Sequence, residues 1–574
     1  GRLLTTYFRV NIDVLVIPKD ANSRILFFLI SIILTTTLVI AVIAPTNNWD
    51  SMTYHMTRVA YWIQNGSIYP YFSHDPRQIS FAPFAEYCIL FLSLLAGTDF
   101  LANLPQWLSF VGLGFLAFHQ TTLFGLSKKN ALTASILVWT LPMGIMQSTT
   151  TQNDLVTAFW IMNFVVAVFS VVRSKHDLFY ILWAGMSLGL AFITKGTAYV
   201  YSLPFICYWI YHGVRSAIIL KTFRPVLKGF LAIAIVVAII FPQHYRNMII
   251  WNHPLGEQTT REATQIENPT WKTFATNIWA HASVHFGTPS SRLNNSVRDT
   301  IVSASNFLPI SIDDPIISFN KASFGIPRMT AHEDVLGNML HCILIFMAIL
   351  FFGTWTNYKQ SKMLFLLTIT TFFLLAFLIK WQLWLSRIHL SFFILMSVPL
   401  ALFIHKSLRR WRTHILFLIT LSALPWVFGQ KGRPILKAEN IFNKSRNELY
   451  FFNRRWLTGP YLDLSEKLSR LDCKNIGLYL PIDSYEYPFF ALNRNSKFTT
   501  ILHPNNPVSK KSLFTPIKNS QICLIIAIQK KKALLPPSFN TAQIIFRESV
   551  NDTFDLTLHL ISEGKTVGLR SIRF

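Results

Sequence analysis

The chain has 574 residues, of which 52% are hydrophobic and 14% aromatic, and it carries a formal charge of +25. It is too apolar for a soluble protein of this length. The charge does not point to nucleic acid, because Lys and Arg collect in short loops between apolar runs, as in a membrane protein with a basic cytoplasmic side.

The leader, residues 1–24, carries Arg2, Arg9, Lys19 and Arg24 against Asp13 and Asp20 and is assigned to the cytoplasm. The chain opens on Gly1, as a trimmed start would. The first apolar run, 25–44, is long and lacks a small-residue cleavage pattern, so it is expected to stay as a signal anchor running outward. A first external loop, 45–100, follows, in which Trp49, Tyr54, Tyr61, Trp62, Tyr69 and Tyr71 alternate with polar residues. Its moderately apolar stretch 82–96, ended by Gly97, is read as an interfacial or re-entrant helix; a full crossing there would put Lys128 and Lys129 outside.

Apolar runs near 18 residues long can cross ~30 Å of hydrocarbon. They are predicted at 101–124, 131–147, 155–172, 178–194, 197–212 and 228–243, with basic turns at Lys128 and Lys129, at Arg173 and Lys175, and at Arg215, Lys221, Arg224 and Lys228. After an external stretch, 251–335, further spans fit 336–354, 362–379, 388–404 and 414–430, with Lys359, Lys362, Lys406, Arg409, Arg410 and Arg412 inside. That makes about eleven spans, with the amino terminus cytoplasmic and the carboxyl terminus extracytoplasmic. The tail, 431–574, has short β-rich runs at 476–480 and 522–528 and a helix near 484–494, and reads as a small α/β domain. Its Cys473 and Cys523 would pair in an oxidising compartment, whereas Cys88, Cys207 and Cys342 read as small buried hydrophobes.

Charge at membrane depth is costly, so a scaffold would scatter it. Here it gathers on the outer ends of helices. Asp50 follows the first span in Asn47-Asn48-Trp49-Asp50-Ser51-Met52-Thr53-Tyr54-His55, Asp154 opens a later span in Thr151-Gln152-Asn153-Asp154, and Lys195 sits in Gly189-Leu190-Ala191-Phe192-Ile193-Thr194-Lys195-Gly196. Arg246 follows the span ending near 243, and Lys380 and Arg387 stand between two later spans in Lys380-Trp381-Gln382-Leu383-Trp384-Leu385-Ser386-Arg387. All would open to one external cavity. Alternative readings are an N-cap for Asp154 and an interfacial anchor for Arg387. The cluster His332-Glu333-Asp334 reads as metal ligands or a second acid/base, with a helix-cap role as the plainer alternative.

This order of motifs resembles the GT-C superfamily of polyprenyl-phosphate-sugar glycosyltransferases, the group of the family 39 protein O-mannosyltransferases and the lipid A aminoarabinose transferase. The resemblance covers residues 25–250 well and the later helices and tail in outline. It implies an all-α membrane fold: a GT-C bundle of about eleven transmembrane helices with external interfacial helices, plus the small α/β domain. Residues 25–250 would form the catalytic module and 336–430 the carboxyl-terminal helices, in a multi-pass protein of the bacterial inner membrane. The resemblance also implies transfer of a sugar from a polyprenyl-phosphate donor to a glycan, lipid or protein acceptor, with Asp50 as the catalytic carboxylate.

Such chemistry asks for a base on the acceptor and positive charge on the departing phosphate. Asp154 would assist, and Lys195, Arg246, Lys380, Arg387, Arg58, Tyr54 and His55 would contact substrate, with Arg77 in reserve. The sequence identifies no cofactor and leaves open the need for a metal; a divalent cation, Mg or Mn, is the one these carboxylates would take. An O-antigen ligase or polymerase is the nearest competing transferase. A lipid-linked oligosaccharide flippase fits less well, since few ionisable residues lie mid-span and no two-fold repeat is evident.

Overall fold

Inside a bilayer a backbone can satisfy its polar groups only by bonding to itself, so the long apolar runs fold as helices. The computed structural model describes residues 20–174, 177–355, 358–501, 522–530, 535 and 543–561. Residues 1–19 of the leader, and Lys175 of the second basic turn, lie outside the described residues.

The first apolar run is α1 (Ala21–Ile43). The loop after it holds a π-helical turn, Ser51–His55, then α2 (Met56–Asn65) and α3 (Phe84–Ala96). Next come α4 (Leu104–Leu123), α5 (Lys128–Trp139), α6 (Pro142–Gln147), α7 (Asp154–Arg173), α8 (Leu178–Phe192), α9 (Thr197–Leu220) and α10 (Arg224–Trp251). The second polar stretch forms α11 (Trp271–Ser283) and α12 (Ser291–Ser305). The bundle closes with α13 (Met339–Leu350), α14 (Lys359–Leu378), the single turn α15 (Leu385–Ile388), α16 (Leu390–Lys406) and α17 (Arg412–Phe428).

Among the described residues, six segments are long and apolar enough to cross a membrane by themselves: α1, α7, α9, α10, α14 and the stretch Arg409–Phe428. The protein is a multi-pass membrane protein. Helix α3 is 13 residues long and leaves Phe91, Leu94 and Leu95 exposed. The expected span 131–147 breaks at Thr140, because Pro142 has no N–H to continue α5 and instead opens α6. Helices α9 and α10 run past the expected ends at 212 and 243, and α10 passes through Pro242. Cys207, expected to be buried, is exposed on α9, while Cys88 and Cys342 are half-buried.

Helix α7 has no amphipathic stripe, as expected of a helix enclosed by others. It packs against α4, α8, α9 and α16, and α16 is itself buried from Leu390 to Ile404. Close approach of α4 and α5 depends on Gly114, where an added Cβ would stand 2.1 Å from a ring carbon of Trp139. The Trp139 indole N–H also donates to the Phe110 carbonyl at 3.2 Å, so the ring cannot simply swing aside. Gly114→Ala is expected to destabilise the bundle by about 1–3 kcal/mol through overpacking. An unchanged thermal transition in detergent would refute that packing role.

The tail carries α18 (Thr458–Ser469) and strands β1 (Asn475–Tyr479), β2 (Lys497–Thr500), β3 (Leu524–Lys530), β4 (Gln543–Ser549) and β5 (Phe554–Leu560). They form one mixed sheet in the order β2-β1-β3-β5-β4, with β1 parallel to β2 and β3 and the other pairs antiparallel. Cys473 and Cys523, just ahead of β1 and β3, are joined by a disulfide. The sheet shares a hydrophobic core with the first loop: Met52, Met56, Val59 and Trp62 pack with Tyr461, Leu478, Phe489 and Ile526. This common core sets the segment that carries Asp50 against the tail.

Candidate active site

The segment leaving α1 is held by buried polar contacts. Asn47 Nδ2 donates to the carbonyls of Gly432 (2.7 Å) and Leu449 (3.0 Å), and Thr46 Oγ1 meets Thr151 Oγ1 at 2.8 Å. Asp50 stands at the start of the π-helical turn, a backbone irregularity frequent at functional sites. Its Oδ2 accepts from Arg387 Nη1 at 2.6 Å and from Gln152 Nε2 at 3.4 Å. Asp334 approaches the same guanidinium nitrogen at 3.5 Å and accepts from the same Gln152 amide at 3.1 Å. One Arg and one Gln therefore bridge two carboxylates brought together from distant parts of the chain.

The Gln152 amide is oriented from behind. Gln147 Nε2 donates to Gln152 Oε1 (2.5 Å) and to the Glu333 carbonyl (2.8 Å), and Gln106 Nε2 donates to Gln147 Oε1 (3.2 Å). Gln106 Oε1 in turn accepts from the backbone N–H groups of Leu155 and Val156 at 2.9 and 3.0 Å, capping α7 from a neighbouring helix. Asp154 is thereby free of the capping task the sequence allowed it. It pairs with Lys195 at 2.6 Å, while Asn153 donates to the Thr194 carbonyl.

The two carboxyls titrate differently. Burial would raise Asp50, but the Arg387 guanidinium, with help from His55 and Arg77, brings it well below the usual carboxylate range. For Asp334 burial prevails over Arg387, and the neighbouring Glu333 and Asp50 add to the rise, so this acid is more easily neutralised. Among the neighbouring residues, Arg77 pairs with Asp75 (2.6 Å) and Asp483 and lies 4.7 Å over the Tyr54 ring, and Arg454 lies 5.0 Å over Trp49. Tyr54 is buried beside Asp50, which together with burial raises the phenol well above its ordinary value.

Several residues expected to contact substrate are engaged by other protein groups. Arg58, 1% exposed, donates to the carbonyls of Gln78, Arg77 and Phe81 and faces Glu86 at 3.5 Å, because a buried guanidinium must find acceptors nearby. His55 is likewise buried against Glu86 at 2.6 Å. Lys380 is drawn toward the 257–265 segment and donates to the Glu262 carbonyl at 2.7 Å. Arg246 bonds to Gln243 and adjoins Tyr87, Tyr71 and Arg58. Of the cations expected around the phosphate, Arg387 makes the contact with Asp50.

His332 Nδ1 lies 3.9 Å from Glu333 Oε2 and 3.8 Å from Asp334 Oδ2, but the two carboxylates are engaged by different partners. Glu333 turns inward, accepting from Asn453 at 2.8 Å with Arg433 at 3.6 Å, while Asp334 faces Arg387. Among the described residues no three His, Cys, Asp or Glu side chains are placed to hold a metal ion, so these residues do not fit one. The sequence reading also passed over Gln106, Gln147, Gln152 and Arg433; the uncharged polar run 147–153 beside apolar helices was the available signal.

Residues 80–241 match the family described as dolichyl-phosphate-mannose-protein mannosyltransferase. No curated protein matches the sequence. Among solved structures the chain is similar to ArnT from Cupriavidus metallidurans bound to undecaprenyl phosphate, with 12% identity, 94% of this chain and 98% of that chain covered, and a TM-score of 0.47. It is also similar to the Archaeoglobus fulgidus oligosaccharyltransferase in complex with Zn and sulfate, at 12% identity, 87% and 67% coverage and a TM-score of 0.45. Arabinosyltransferase EmbB from Mycobacterium smegmatis follows at 12% identity, 70% and 41% coverage and a TM-score of 0.32. The family match falls on the stretch that carries Asp154 and Lys195.

Proposed function

We propose that the protein moves a sugar from a polyprenyl-phosphate donor to a hydroxyl or amine of a glycan, lipid or protein acceptor on the extracytoplasmic side of a bacterial inner membrane. The observation that carries the proposal is the 2.6 Å pair between Asp50 and Arg387, assembled across 337 residues of chain at the end of the bundle. A polyprenyl-phosphate donor is supported by the matched family's description, which names a dolichyl-phosphate sugar.

In the resting arrangement Asp50 is a poor base, because Arg387 stabilises its ionised form. A donor phosphate offers the planar Arg387 guanidinium a bidentate partner and competes with Asp50 for it. As the guanidinium turns to the phosphate, Asp50 loses its main stabilising charge, becomes more basic and can take the acceptor's proton. Arg387 meanwhile holds the charge that develops on the leaving phosphate. No acid is needed on the leaving group, since a phosphate departs as an anion, unlike the alkoxide in glycoside hydrolysis. Gln152 keeps Asp50 and Asp334 oriented while the guanidinium moves.

The test is transfer of label by the purified protein from a panel of polyprenyl-phosphate sugars, set beside the same sugars as diphosphates and nucleotide diphosphates. Labelled product from the monophosphates alone is expected. Transfer from the diphosphate-linked glycans alone would replace this reading with the ligase or polymerase class.

A further inference from the structure

Three histidines from two parts of the chain meet directly behind Arg387. His281 Nδ1 lies 3.2 Å from His389 Nε2, and His389 Nδ1 lies 3.0 Å from His285 Nε2; the three rings are between 0 and 2% exposed. Both ends of the row have fixed partners. His281 Nε2 is 3.0 Å from the Ile379 carbonyl, which only accepts, and His285 Nδ1 is 3.3 Å from the Asn338 backbone N–H, which only donates.

These two ends determine every proton between them. His281 must carry its hydrogen on Nε2 to serve Ile379, so its Nδ1 is bare and accepts from His389 Nε2–H. His389 Nδ1 is then bare and accepts from His285 Nε2–H, and His285 Nδ1 is left to accept from Asn338. One neutral Nε2–H tautomer at each position satisfies all four links in a single direction. Protonating any ring would set two N–H groups against each other. The surroundings offer no compensation: the rings pack on Phe372 and Phe393, and Tyr201 of α9 donates instead to the Ile388 carbonyl at 2.8 Å. Burial lowers His281 to about 4 and His285 to about 3, so both are uncharged near neutral pH.

His389 follows Arg387 by two residues and closes the same turn, its N–H bonding to the Leu385 carbonyl at 2.9 Å. We propose that His281, His389 and His285 form one positioning unit, a directional chain of neutral imidazoles that clamps the α15 turn to α11 and to the end of α14 and so fixes Arg387 opposite Asp50. The functional half of this inference rests on the phosphate role given to Arg387 above. None of the three rings touches substrate in it; they act through Arg387.

The test uses the full-length protein in lipid nanodiscs. With 15N-labelled histidine, the three buried rings should each show the Nε2–H tautomer at neutral pH, and an Nδ1–H or doubly protonated ring among them would overturn the chain as drawn. Hydrogen exchange read by mass spectrometry should speed up about tenfold over residues 380–390 in His389→Phe and in His281→Phe, the size expected for a buried bond lost, with α17 unchanged. Binding of undecaprenyl phosphate should weaken about tenfold in the same variants. His281→Gln, which keeps a donor and an acceptor, should recover part of both, and it decides the matter if His389→Phe fails to fold. Unchanged exchange over 380–390 would sink the positioning role whatever the ligand does. Faster exchange in the variants, with normal phosphate binding by Arg387→Ala, would keep the clamp and instead remove the phosphate role of Arg387.

Discussion

Asp50→Asn should lower sugar transfer by about 10²–10⁴-fold, the span general-base catalysis usually contributes, while leaving donor binding as tight as in the wild type or tighter. The amide has nearly the carboxylate's shape, so Gln152 and the π-helical turn keep their places. What is lost is the proton acceptor and the charge that holds Arg387 in the resting state. A freed guanidinium is more available to phosphate, and this opposite movement of catalysis and binding separates loss of a base from general damage to the site. The measurement is label transfer beside undecaprenyl-phosphate affinity on the same preparation. Transfer within about twofold of wild type would withdraw Asp50 as the base.

Arg387→Ala should be the most damaging single change, because it removes binding and stability together. Arg387 is 11% exposed and Asp50 14%, and Asp334 shares the same nitrogen. Removing the cation leaves two neighbouring carboxylates without their compensating charge, which in buried pairs costs about 3–5 kcal/mol. Donor affinity should fall with it, and Asp50 should rise toward and past its ordinary carboxylate value. The sign of the pH dependence follows. In the wild type the depressed Asp50 contributes stability above its unfolded value of 3.8, and that contribution is lost only as pH falls further, through the folded value. In Arg387→Ala, Asp50 should instead make the protein easier to stabilise by acidification, so thermal stability should increase as pH drops from about 7 to 5 relative to wild type. Arg387→Lys keeps the charge but not the fork, and should rescue stability better than donor binding. Parallel pH–stability curves for Arg387→Ala and wild type would refute this account of the pair.

The buried histidines act in a higher window. Their folded values are lowered, so the unfolded chain takes up protons first as pH falls through about 6.5, and stability declines from there until the folded rings titrate near pH 3 to 4. Acid sensitivity between pH 6.5 and 4 that is reduced in His285→Phe, measured by thermal unfolding in nanodiscs, is the expected result.

Composition alone marked a membrane protein, and every apolar run read as a span coincides with helix, since transfer of side chains into hydrocarbon is a local, additive property of sequence. The reading of 82–96 as an interfacial helix rests on the basic turn at Lys128 and Lys129, which a full crossing would put on the wrong side. The break at Thr140 was not legible, although Pro142 stood in plain view, because membrane helices often absorb a proline, as α10 absorbs Pro242. The same limit applied to the charges. Asp50 and Arg387 were both named from sequence, but Arg58, His55 and Lys380 were named with equal reason and turned out to serve Glu86, backbone carbonyls and the 257–265 segment. On a helix that is apolar all round, no stripe of polar residues records its rotation, so the direction of the side chain at its end is set by packing against neighbours far away in the chain. Sequence therefore determined which groups lie at the end of the bundle; the tertiary structure decided which of them meet.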